Sequence, residues 1–235
     1  MTLHGSAPAP DQPACSVGGE WIRRASVRTV EPRAPAPTLV HLVRHGLVNN
    51  PRRLVYGRLP GWHLSPEGRR QAEAVARRLE GRPIAAVYSS PLERARETAE
   101  IVAAAVGTPV AVRDDLTESA LATPWEGLAW SEVKTRRREE WETYLQRPLE
   151  MSGVPESLAA MAERMLHAIG EIAAAHPGAQ VVAVSHGDPI KAGVLALTGG
   201  ALADPQRIYL PTGALISLRV GPQRAIVAER WTPSG

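Results

Sequence analysis

The feature that most constrains this chain is an alternation. Short apolar runs take turns with longer stretches whose apolar residues recur at helical spacing. Leu39-Val40-His41-Leu42-Val43 reads as a buried strand and ends at Arg44-His45-Gly46. A polar loop runs from Leu47 to Leu64. A helix follows, signalled by Ser65 as N-cap, Pro66 at the first helical position and Gly81 just past the end. Ala72, Val75, Ala76 and Leu79 form its apolar stripe. Ile84 to Tyr88 is a second strand. Behind it, Ser90, Pro91 and Glu93 predict a helix opened by a capping box, with Ala95, Thr98, Ala99 and Val102 facing inward. A third strand is expected over Pro109–Val112, and helices over about 129–145 and 157–175. Val181-Val182-Ala183-Val184 is the clearest buried strand. It ends at Ser185-His186-Gly187, and Asp188-Pro189 opens another helix. Residues 214–220 and 225–231 read as a closing antiparallel hairpin that turns at Gly221-Pro222.

Strands alternating with helices predict an α/β domain, a three-layer α/β/α sandwich on a mainly parallel sheet. The domain is expected over residues 38–235, with a helical insert at about 125–156. Residues 1–37 read as a disordered Pro/Ala-rich tail, because Pro8, Pro10, Pro13, Pro32, Pro35 and Pro37 interrupt any helix or ladder. The chain has 235 residues, 44% of them apolar and none of them Phe, so the core must come from Leu, Val, Ile and Ala. No run approaches the roughly 18 apolar residues of a membrane helix, so no membrane partner is expected. The single cysteine, Cys15, excludes a disulfide framework and makes a reducing cytoplasm the simplest home. A net charge of +3 is too slight to establish nucleic-acid binding. The sequence leaves monomer and homodimer both open.

Ligands of open parallel sheets bind beyond the carboxyl ends of the strands. His45 and His186 both lie there, each followed by a glycine, Gly46 and Gly187, that lets backbone approach a ligand closely. Arg44 precedes the first, and Arg94 sits on the same edge at the start of the helix after the second strand. Two guanidinium groups and two imidazoles there suit a tetrahedral phosphoryl group.

Leu42-Val43-Arg44-His45-Gly46 resembles the signature of the histidine phosphatase superfamily, also called the phosphoglycerate mutase-like family. The run from Ser89 to Ala99 is similar to its second motif, and Val184-Ser185-His186-Gly187 to its third. The likeness spans about residues 38–232. It implies a phosphoglycerate mutase-like fold and a catalytic set in which His45 attacks phosphorus and becomes a phosphohistidine. Arg44, Arg94 and His186 would hold the phosphoryl oxygens with no metal and no cofactor. In the family a glutamate after the third strand protonates the leaving group. Glu118 is the better match here and Glu126 the runner-up. Asn50, Arg58 and Gly187 fall where phosphate or substrate would be contacted. Leu47 stands where many members carry Glu or Gln.

The function implied is a metal-independent phosphomonoester hydrolase acting on small phosphorylated metabolites. A phosphoglycerate mutase is the alternative in the same pocket, and a non-catalytic phospholigand-binding protein the alternative of another class. His41 reads as structural, Arg136-Arg137-Arg138 as a solvated helix face, and Trp125, Trp130 and Trp141 as either pocket wall or packing.

Overall fold

A computed structural model gives the structure of residues 36–233. The expectation of a tail over residues 1–37 therefore falls, apart from Ala36 and Pro37, outside the described residues. The apolar runs form six strands: β1 (Thr38–Arg44), β2 (Ile84–Ser89), β3 (Val110–Val112), β4 (Gln180–Ser185), β5 (Leu215–Val220) and β6 (Ala225–Trp231). The helices are α1 (Pro66–Leu79), α2 (Glu93–Val106), α3 (Trp130–Arg136), α4 (Arg138–Gln146), α5 (Leu158–Ala175) and α6 (Gly187–Thr198). One sheet runs in the order β3-β2-β4-β1-β5-β6. The first four strands in that order are parallel, and β5 and β6 are antiparallel additions. This is the mixed, mostly parallel sheet that the alternation predicts.

Helices cover both faces. Val75, Leu79, Ala95, Ala99 and Val102 from α1 and α2 bury against Val43, Val87, Val182 and Val184. Met165, Ile169 and Ile172 of α5 and Ile190 and Val194 of α6 bury against Val40, Leu42, Val181 and Ala183. Without Phe the layers close through small side chains. A Cβ on Gly193 would lie 2.9 Å from the Cβ of Met165, so the α5–α6 contact depends on that glycine. Among the described residues no helix is long and apolar enough to cross a membrane.

Local sequence explains two of the helix starts directly. Ser65 caps α1 by accepting from the Gly68 amide, and Ser157 caps α5 by accepting from Ala160. Two expectations need correction. The helix after β2 opens at Glu93, with an extended Leu92 before it and no side-chain cap. The reason is that Ser90 still belongs to the ladder, its amide donating to the Val184 carbonyl at 2.9 Å. The Glu93 carboxylate turns away to accept from the Gly61 amide. The helix expected over 129–145 is two helices, broken where Arg137 leaves helical geometry at φ −122°.

Candidate active site

The sheet order brings chain-distant strand ends side by side. Arg44 pairs with Ser185, and Ser89 with Val184. The ladder continues one residue further, with His45 N donating to Ser185 O and Ser90 N to Val184 O. Ser185 Oγ reaches past β4 to the Leu116 carbonyl at 2.7 Å, which anchors the loop that carries Glu118. His45, Ser90, His186 and Glu118 are thus placed by backbone.

Both histidines are buried. His45 Nδ1 lies 2.7 Å from the carbonyl of Gly46, so Nδ1 must carry the proton and Nε2 the lone pair. Arg94 Nε donates to that Nε2 at 3.3 Å. Burial, then the charges of Arg94 and Arg44, hold the His45 pKa well below its ordinary value, so the ring is neutral at neutral pH. The His186 ring lies edge-on, 5.1 Å away between centroids. Its Nε2 meets Ser90 Oγ at 2.7 Å. Ser90 Oγ accepts from the Leu92 amide and can donate its own proton to Nε2, the arrangement that leaves the imidazole proton of His186 on Nδ1, on the side of Glu118. Burial first, then Arg94, keep this ring neutral as well.

Arg94 is fully buried and oriented from several sides. Its Nη2 donates to the Gly57 carbonyl at 2.7 Å, and its guanidinium lies 4.8 Å from the Tyr56 ring centroid. Arg44 donates from Nη1 to the Leu210 carbonyl. A Cβ on Gly187 would come within 3.3 Å of the Arg44 Cζ, so the glycine gives the guanidinium its resting place against α6. Three buried N–H groups in this cluster have no hydrogen-bond partner: Arg44 Nε, Arg94 Nη1 and His186 Nδ1. Unsatisfied buried donors are costly, and three together define a place built for acceptor oxygens.

Glu118 joins the same centre. Its Oε2 lies 3.6 Å from His186 Nδ1 and 3.8 Å from Arg94 Nη2. Burial pushes its pKa up to about 7 against the pull of Arg94, with Asp188 adding to the rise. Two arginines clamp the backbone around it. Arg58 Nε donates to the Glu118 carbonyl, and Arg164 Nη1 to those of Asp115 and Thr117. Glu156 joins the two, binding Arg58 at 2.6 Å and Arg164 at 2.6 and 2.9 Å.

Among the sequence candidates, Arg44, His45, Arg94, Glu118, His186 and Gly187 come together. Arg58 supports the Glu118 loop. Both ends of the Asn50 amide are engaged with the backbone of Leu54, so the side chain shapes its own loop. Glu126 accepts from the Arg58 amide. The triple-arginine run is ion-paired to Glu132, Glu140 and Glu142. His41 bonds to Ser217 and Gln180 within the sheet. Sequence reading missed the roles of Ser90, Glu156 and Arg164. Ser90 was legible as a strand-end residue on the same edge, whereas nothing in the sequence signals a pairing between residues 58, 156 and 164.

Donor atoms of His45, Glu118 and His186 lie within 4.8 Å of one another, a spacing that would admit a metal ion. The arginines argue otherwise. A cation there would sit beside the guanidinium that donates to His45 Nε2, and like charges at such distances repel. The donor set fits a multiply charged anion.

Above this floor opens a cleft of about 370 Å³. Tyr56 forms part of its wall. Trp130, Trp141 and Tyr144 from α3 and α4 form another part, and Asp188 and Lys191 of α6 close the rim. Trp125, by contrast, is buried beneath the insert.

The chain belongs to the histidine phosphatase superfamily (branch 1), whose profile matches residues 40–232. It is 42% identical over 191 residues to the uncharacterized protein Rv0525 of Mycobacterium tuberculosis, covering 78% of this chain and 91% of that one. It is 35% identical over 172 residues to a metal-independent phosphoserine phosphatase of Arabidopsis thaliana, covering 71% of each. Among solved structures it resembles Bacillus stearothermophilus YhfR, with a TM-score of 0.76 at 26% identity over 84% of this chain and 98% of the other.

Proposed function

We propose that this chain hydrolyses phosphomonoesters of small metabolites, without a metal ion, through a phosphohistidine on His45. The observation that carries the reading is the set of three unpartnered buried N–H groups around a neutral imidazole nitrogen, with a carboxyl of pKa about 7 beside it. The similarity to a metal-independent phosphoserine phosphatase supports the same chemistry.

In the first step the His45 Nε2 lone pair forms a bond to phosphorus as the ester P–O bond breaks. Arg44, Arg94 and His186 hold the non-bridging oxygens, and the pocket is charged before substrate arrives, so little reorganisation is required. Glu118, protonated, gives its proton to the leaving oxygen, which departs as an alcohol. In the second step water attacks phosphorus, the Glu118 carboxylate takes the water proton, the P–N bond breaks, and inorganic phosphate leaves. His45 regains its lone pair and Glu118 its proton.

The test is chemical trapping under alkaline quench with a radiolabelled phosphate ester. The label is expected on the peptide containing His45, and free phosphate is expected to accumulate in step with free alcohol. His45→Ala should reduce p-nitrophenyl phosphate turnover to background. Retained turnover in that variant would overturn the reading.

A further inference from the structure

The segment that carries Glu118 has little regular structure of its own beyond a short 3₁₀ turn at Asp114–Leu116. Its successive carbonyls, from Asp115 to Glu118, instead accept from side chains brought in from three other parts of the chain. Arg164 of α5 donates to Asp115 at 2.7 Å and to Thr117 at 3.1 Å, Ser185 of β4 to Leu116 at 2.7 Å, and Arg58 to Glu118 at 2.7 Å. One carboxylate holds both arginines. Glu156, just before the Ser157 cap of α5, takes the Nε and Nη2 of Arg164 as a fork, and its Oε2 also accepts from Arg58. A forked guanidinium is fixed in plane as well as in position. Outside the catalytic cluster this is the most buried ion pair among the described residues.

The same clamp meets the phosphate floor. The Gly57 carbonyl accepts from Arg94 Nη2, while the next residue, Arg58, grips the Glu118 carbonyl. Two neighbouring residues therefore hold the phosphate-binding arginine on one side and the backbone of the acid on the other. The tip of Glu118 is less constrained: the Ser119 amide donates to Oε1 at 2.8 Å, and His186 and Arg94 stand at 3.6 and 3.8 Å from Oε2. Its carboxyl must be placed from its backbone. Proton transfer requires hydrogen-bond reach of the leaving oxygen, and a displacement of about 1 Å can cost about 10²-fold in rate.

We infer that Glu156 is a positioning residue for this proton transfer: through Arg58 and Arg164 it sets where the Glu118 carboxyl stands relative to the phosphate floor. Its effect passes through Glu118. This rests on the phosphomonoesterase reading above and deepens it.

Glu156→Gln keeps the shape of the side chain but offers one oxygen, and its amide N–H faces a guanidinium donor whichever way it turns. Two esters of the same ring isolate the proton. Phenyl phosphate releases a phenol of pKa about 10, which needs a proton, whereas p-nitrophenyl phosphate does not need one. The readout is the ratio of kcat/KM for phenyl phosphate to that for p-nitrophenyl phosphate, because kcat/KM covers the steps up to departure of the leaving group. That ratio should fall at least about fivefold in Glu156→Gln. Arg58→Gln keeps the Glu156–Arg164 fork, should show the same fall, and carries the test alone if Glu156→Gln does not fold. In a Glu118→Gln background, Glu156→Gln should leave the ratio within about twofold, since the group it positions is gone. Arg138→Gln, which loses only a surface pair with Glu142, should leave both kcat/KM values as in wild type. A smaller fall in a folded variant overturns the proposal, and so does a larger change in the Glu118→Gln background; a merely structural role, or a substrate contact by Arg58, lowers both esters alike. Failure of the parent reading looks different: the wild-type chain releases phosphate from neither ester, or turnover survives His45→Ala, and the role of Glu156 falls with it.

Discussion

Glu118 must act as an acid in one half of the proposed cycle and as a base in the other. A carboxyl at an ordinary pKa would rarely hold its proton at neutral pH; burial beside the phosphate floor moves it to about 7. The sign of the pH dependence follows. As pH rises through about 7 the carboxyl loses the proton that the leaving group needs, so kcat/KM for alkyl phosphates should fall on that limb. The opposite limb comes from protonation of His45, whose pKa lies well below 6.5. Glu118→Gln should lower alkyl phosphate turnover by about 10²–10⁴-fold and abolish the alkaline limb, with a smaller loss on p-nitrophenyl phosphate, whose leaving group needs no proton. A limb near pH 7 that persists in that variant would assign it to another group. At this scale the sequence was legible where a residue and its motif coincide, as at Arg44, His45, Arg94 and His186. It was incomplete where another part of the chain takes up a polar side chain, four residues away for Asn50 and 60 residues away for Arg58. Asn50 reads as a phosphate ligand and instead bonds Leu54, and Arg58 reads as a substrate contact and instead supports Glu118.

Helix α1 contributes no side chain to the cluster, yet it fixes the turn that carries His45. A Cβ on Gly46 would lie 2.3 Å from the Gly68 carbonyl oxygen, and one on Gly68 would lie 2.0 Å from that of Leu47. The two glycines let the first turn of α1 rest directly on the backbone after His45. Gly68→Ala ought to favour the helix, since glycine costs about 0.5–1 kcal/mol there. The clash is with backbone and outweighs that gain. We expect a net loss of about 1–3 kcal/mol, read as a fall in Tm of several degrees, together with reduced kcat. An unchanged or raised Tm would show that the helix can shift freely. Gly68 was detectable in the sequence as a glycine inside an otherwise good helix. The start of α2 was not, because a serine before a proline and glutamate signals a cap equally well whether or not the strand runs on through it.

For the molecule as a whole, alternation and strand-end residues were enough to predict three layers and a mainly parallel sheet with an antiparallel hairpin at one edge. The strand order could not be read, because the register between residues 44 and 185 depends on packing of both faces rather than on any local pattern. Burial of neutral imidazoles has a global cost. His41, His45 and His186 all have lowered pKa values, chiefly through burial. Below pH 6.5 the unfolded chain binds protons at these rings while the folded chain does not, so stability falls as pH falls, by up to about 1.4 kcal/mol per pH unit for each. Glu118 acts in the opposite sense between 4.5 and about 7, and one group cannot offset three. Urea midpoints should therefore drop on going from pH 6.5 to 5, and His41→Gln, away from the catalytic cluster, should flatten that slope. A midpoint independent of pH over this range would contradict the buried, neutral assignment.

The strand order also sets when this molecule can first become competent. β4 lies between β2 and β1, so the strand ends that deliver Arg94 and His45 are held in register only once Gln180–Ser185 has been inserted between them. A growing polypeptide exposes His45 well before its central strand, and long-range pairing of this kind is slow to form. Chains truncated before Gln180 should be inert toward phosphate esters even though they carry both His45 and Arg94.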